Sequence, residues 1–131
     1  MNKDKENKFA KNFIVKNRRD RLLFELGGKN RSHGIGRFCH NAEDLLIKEK
    51  IVVKSNKLFL KDIEKIIRQL TSEQEAYIIA CSDSDGICCN LSDALKLVFG
   101  HGNAGIVVVG EVAFVEAEQD KGMPDRYILS C

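Results

Sequence analysis

The sequence contains no tryptophan, only 7% aromatic residues, and no apolar run close to the ~20 residues that a bilayer-spanning helix requires. Contact with a membrane is therefore not expected. The basic run KNRRDR (16–21) has no aromatic residue interleaved with it, and stacking platforms for nucleic-acid bases need aromatic rings. The opening MNKDKENK lacks an apolar core, which argues against a secretory signal. Residues 1–8 are expected to form a solvated, frayed basic tail ahead of a single domain over 9–131.

Cysteine occurs five times, an odd number, whereas small secreted scaffolds use even sets to replace a core they cannot build. No two cysteines stand two to four residues apart, the spacing that lets both thiolates reach one zinc ion. Cys88 and Cys89 are adjacent and point to opposite faces of a strand, so they share neither a metal nor a simple bridge. Cys39, Cys81 and Cys88 or Cys89 have apolar neighbours, as buried reduced thiols do. The expectation is a cytoplasmic protein with no metal and no cofactor.

A chain of 131 residues with 44% hydrophobic and 31% charged content has enough apolar material for one domain with its own core. The net charge of +2 conceals an asymmetry. Residues 1–70 carry 18 Lys/Arg against 9 Asp/Glu, a balance of +9, and residues 71–131 carry 3 against 10, a balance of −7. Halves of opposite sign either face each other or face separate partners.

The helix signals come first along the chain. KNRRDRLLFELGG reads as a helix closed by Gly27 and Gly28. In SHGIGRFCHNAEDLLIKEK, Ile35, Phe38, Cys39, Ala42, Leu45 and Leu46 recur at spacings of three and four, which predicts a helix over 32–47 capped by Ser32. His33, Arg37, His40 and Asp44 fall on its opposite face. KIVVKSNKLFLKD reads as a strand, a Ser-Asn turn and a return strand, and Ile63, Ile66, Ile67 and Leu70 predict a helix over 61–70.

From Ala76 onward AYIIACS, GICC, AGIVVV, EVAFVEA and RYILSC carry strand composition. One helix, NLSDALKLVFG, interrupts them, capped by Asn90 or Ser92 and stopped by Gly100. The predicted class is α+β, a helix-rich N-terminal half on a mostly antiparallel C-terminal sheet of about four to five strands.

The stretch YIIACSDSDGICCNL (77–91) looks most like chemistry. Fitted to a calcium loop it places a thiol at the first position and Ser92 at the twelfth, where oxygen ligands and a carboxylate are required. It reads instead as a hairpin turning at Asp85-Gly86, with Asp83 and Asp85 at an acidic tip. GHGNAG (100–105) matches a dinucleotide-loop pattern but follows a helix and opens a strand, the reverse of what phosphate binding at a helix N-terminus needs.

His33 and His40 are separated by about 10 Å of helical rise, which suits two ends of a surface patch better than one acid–base centre. Arg31 and Arg37 offer a phosphate clamp. Cys81 or Cys88 with His101 offers a thiol–imidazole pair.

Three functions follow. The first is a small cytosolic binding module that occupies another protein as an inhibitor, immunity-type neutraliser or adaptor, without catalysis. Its acidic face would consist of Asp83, Asp85, Glu116, Glu118 and Asp120 and would meet a basic partner. The alternative is a nucleic-acid-binding protein using the basic N-terminal half, with Arg18, Arg19, Arg21 and Arg37 as its patch. The third is a small enzyme built on Cys81, Cys88 or His101.

Overall fold

The computed structural model describes residues 1–101, 103–117 and 124–131. The chain begins with α1 (Lys3–Phe13), α2 (Lys16–Leu26), α3 (Arg31–His40) and the single turn α4 (Ala42–Leu45). A 3-10 turn at Lys48–Lys50 leads into β1 (Ile51–Ser55) and α5 (Leu60–Leu70). Then come β2 (Glu75–Ala80), β3 (Cys88–Asn90), α6 (Leu91–Val98), β4 (Gly105–Val109), β5 (Val112–Glu116) and β6 (Arg126–Ser130). The strands form one antiparallel sheet in the order β1-β6-β5-β4-β2-β3.

The class is α+β, with helices mostly N-terminal and six strands among the described residues rather than four or five. The expected return strand after β1 does not form. β1 pairs with β6 instead, and residues 58–60 run into α5, whose first turn is fastened where Asp62 accepts the Phe59 N–H at 3.2 Å.

Strand pleating sorts the core into two layers. Tyr77, Ile106, Val115 and Leu129 pack with Phe9, Phe13, Leu22 and Phe38 of α1–α3. Ile78, Val107, Phe114 and Ile128 face the other way, against Ile63 and Ile67 of α5 and Leu95 of α6. Both faces of the sheet are covered, so β4 and β5 are buried at every residue. That is why these strands read as unbroken apolar runs and not as alternating patterns.

Residues 1–8 are not a frayed tail. Asn2 caps α1 by accepting the Lys5 N–H at 3.1 Å, and Phe9, Ala10 and Phe13 are fully buried. The Glu6 carboxylate is drawn inside as well, 3% exposed. It accepts two bonds from Arg31, at 2.8 and 2.6 Å, and one from the Tyr77 hydroxyl at 2.5 Å. A charged opening stretch thus becomes an ordered helix because one of its charges has an internal partner.

The register predicted for 32–47 holds: Ile35, Phe38, Cys39, Ala42 and Leu46 are buried and Leu45 is half-buried. The segment starts at Arg31 rather than after a Ser32 cap, and it is two helices rather than one. The break falls at Asn41, whose side-chain amide donates to the Arg37 carbonyl at 2.9 Å, the carbonyl its own backbone N–H also reaches. Asparagine offers the backbone this alternative and so ends helices. Gly34 brings α2 and α3 together, since a Cβ there would lie 2.7 Å from the Cβ of Glu25.

Candidate functional site

Arg18, Arg21, Leu22 and Glu25 are spaced three and four apart and share one side of α2. The close approach at Gly34 sets that side against Arg37, Phe38 and Asn41 at the end of α3. Between them lies a cleft of about 280 Å³, closed by Asp44 and Leu45 of α4 and by Ile14. Its inner wall is apolar, with Ile14, Leu22 and Phe38 all buried. Its rim is cationic. Glu25 bridges two of the rim arginines: Arg37 Nη2 and Arg21 Nε both donate to its Oε1, the latter at 3.3 Å.

Arg18 makes no side-chain hydrogen bond or ion pair among the described residues, and it is exposed. Three guanidiniums against Glu25 and Asp44 leave the cleft with a formal charge of +1. One arginine is thus free to take an anion, and two more stand in reach already oriented by Glu25.

Of the basic residues singled out in the sequence, Arg18, Arg21 and Arg37 are therefore brought together. Arg19 is not: its Nε donates to the Ile14 carbonyl at 2.8 Å, which fastens the start of α2. Arg31 is not available as a phosphate clamp either. Its guanidinium is filled by the two Glu6 bonds, by Asp85 at 2.7 and 3.0 Å, and by the Leu26 carbonyl at 2.9 Å. These carboxylates hold the arginine's pKa above its ordinary value, against the lowering effect of burial.

Among the described residues, Asp83, Asp85 and Glu116 do not assemble into an acidic face. Asp85, expected at an exposed tip, turns inward to Arg31 and also accepts the Ala80 N–H at 3.1 Å. The connection from β2 to β3 is consequently a seven-residue loop, 81–87, and not a two-residue turn. Gly86 closes that loop at φ +82°, a conformation in which side chains are strained.

Glu116 is fully buried on β5 and paired with Arg126, its cross-strand neighbour on β6, at 2.7 Å. It has no surface to offer a partner. Asp83 is exposed beside a second shallow cleft that includes Ser82, Ser84 and His101. Glu118 and Asp120 lie outside the described residues.

The thiol–imidazole pairing does not form. Cys81 Sγ contacts the Ser32 carbonyl at 3.2 Å, while His101 Nε2 lies 2.7 Å from the Lys96 carbonyl. None of the five cysteines is in a disulfide. Cys39 is buried, Cys81 and Cys89 are half-buried, and Cys88 and Cys131 are exposed. Burial, with Asp93 and Cys88 nearby, pushes the Cys89 thiol up, the wrong direction for a nucleophile. Among the described residues no three His, Cys, Asp or Glu side chains converge as metal ligands do, and no helix is long and apolar enough to cross a membrane.

Two residues of α2 next to the cleft's arginines were missed in the sequence. Glu25 orients the arginines, and its signal was its i+4 spacing from Arg21. Phe24 stands three residues beyond Arg21 and is 83% exposed. It lies numerically between the buried Leu22 and Leu26, which on a helix places it on the opposite side from both. No protein-family model, no curated protein and no solved structure matches this chain.

Proposed function

We propose that the protein binds nucleic acid by its phosphate backbone, in the cleft between α2 and α3, and that it acts by binding, without catalysis of its own. The observation that carries this reading is the convergence of Arg18, Arg21 and Arg37 from two helices, with Arg18 lacking any partner among the described residues. Clustered guanidiniums over an apolar wall suit phosphate groups, whose attraction needs charge and donors in a fork geometry. The +9 balance of residues 1–70 gives the long-range field that draws a polyanion in.

The rival reading, an acidic face that occupies a basic protein, has lost support: Asp85 and Glu116 are committed to internal arginines. A cytoplasmic setting belongs to the same proposal, supported by five cysteines without a disulfide.

The test is fluorescence anisotropy of a labelled oligonucleotide across a salt series. Three guanidiniums at ~0.7 released counterions per single-strand phosphate give a slope of about −2 in log affinity against log salt. The double change Arg18→Glu and Arg21→Glu should lower affinity by about tenfold or more at low salt. It should leave folding nearly unchanged, since the Arg21–Glu25 bridge is largely exposed on the arginine side and weak. An unaltered affinity in that variant, or no binding of any oligonucleotide by the native protein at low salt, overturns the proposal.

A further inference from the structure

Phe24 is the most exposed of the large hydrophobic side chains described, at 83%. At that exposure it adds little to the buried core. α2 buries Leu22 and Leu26 on its inner side, and phenylalanine is a weaker helix former than the lysine, arginine or glutamate such a position commonly holds. Its surroundings are specific, however. Arg21, 66% exposed in its side chain, is its i−3 neighbour on the helix surface, where Cβ atoms stand about 5–6 Å apart. Arg21 in turn shares the cleft with Arg18 and Arg37. An aromatic face therefore lies one side chain away from a cationic cleft, in water.

Resting on the nucleic-acid reading, we infer that the site takes single-stranded nucleic acid, with a phosphate held at Arg18, Arg21 and Arg37 and the adjoining base stacked on Phe24. In a duplex the base faces are already stacked on one another and paired, so the ring of Phe24 has nothing to lie against and only the arginines engage. In a single strand every base presents a π-face, and stacking is indifferent to which base it is. Charge complementarity selects a polyanion, and the ring beside it selects the unpaired form. A protein partner would also use an exposed phenylalanine beside arginines, and binding of neither single strand nor duplex by the native protein is the outcome that would favour one.

The chain has no tryptophan, so Phe24→Trp installs a single fluorescent reporter at the proposed contact. Its emission should be quenched on titration with an oligothymidylate about 15 nucleotides long, and much less by a duplex at equal phosphate concentration. Phe24→Ala should weaken single-strand binding roughly 5- to 150-fold, the range that loss of one stacked base spans. Its effect on the salt slope should be small. Phe24→Leu should behave like the alanine variant and Phe24→Trp like the native protein.

Equal affinities for duplex and single strand, with Phe24→Ala unaltered and the tryptophan unquenched, overturn the inference. If Arg18→Glu with Arg21→Glu still loses affinity in that case, phosphate binding stands and only the stacking role falls. No binding of either form by the native protein removes both.

Discussion

Replacing Glu116 by glutamine should unfold this protein well below its native melting temperature. Glu116 and Arg126 are 0% and 1% exposed in their side chains and joined at 2.7 Å across β5 and β6. Both Glu116 oxygens also accept the Gly100 N–H, at 3.2 and 3.0 Å. The arginine's guanidinium carbon lies 4.0 Å from the centroid of the Phe99 ring, and Nη1 reaches the Leu58 carbonyl at 3.4 Å. The pair thus ties the sheet to the segment leaving α6 and the segment entering α5.

Glutamine keeps the shape and one acceptor oxygen but leaves Arg126 charged in a dry site without an anion. Breaking a buried pair on one side costs about 3–5 kcal/mol, and the retained acceptor argues for the low end, about 3 kcal/mol. The unfolding entropy is ~2.1 cal/mol/K per residue. Over 131 residues that is ~0.28 kcal/mol/K, so the melting temperature should fall by about 11 °C.

Thermal unfolding followed by circular dichroism, with urea unfolding beside it, measures the loss. A fall under about 2 °C would refute the reasoning, because a surface carboxylate behaves that way. The double replacement Glu116→Leu with Arg126→Met should recover most of the loss, since apolar groups of similar volume often do as well as a buried pair.

Asp85→Asn should destabilise by about 1–3 kcal/mol, seen as a lower urea midpoint, because Arg31 loses one of its two carboxylates. Asp83→Asn, two residues away and exposed, should change stability by less than about 0.5 kcal/mol. Tyr77 is pushed up to about 12, by burial first and then by its hydrogen bond to Glu6, with the Asn2 N–H pulling the other way. Its folded pKa lies above the unfolded ~10, so the contribution, up to about 2 kcal/mol, is fully present below pH ~10 and is lost as pH rises through ~12. Alkaline urea titrations should show a shallower decline for Tyr77→Phe, with some slope remaining because burial raises Tyr127 as well. An unchanged slope would show that Tyr77 already ionises in the native state.

Much of the local structure was legible in the chain because its causes are local. The three-and-four spacing of Ile35, Phe38, Cys39 and Ala42 put those residues on one buried helix face, as it had to. Val, Ile, Tyr and Phe runs after residue 76 became strands. Boundaries failed where a side chain competed with the backbone, as Asn41 did, or where a strand found a distant mate, as β1 did with β6. The unbroken apolar strands already implied cover on both faces of the sheet, which α5 and α6 provide on the second.

Charge behaved differently. Asp83 and Asp85 have the same chemistry, lie two residues apart and sit in one loop, yet one meets water and the other meets Arg31, 54 residues away in sequence. Glu116 and Arg126 are paired because β5 and β6 align them in register. Arg18 and Arg19 are adjacent, but helical rotation sends one to the cleft and the other to the Ile14 carbonyl. Composition and period therefore determined the α+β class and the opposite signs of the two halves. Which charges are internal, and which three arginines share a cleft, depended on strand order and on the seating of α2 against α3. Those are tertiary contacts, some across long stretches of chain and one between consecutive helices, and no local preference of a residue encodes them.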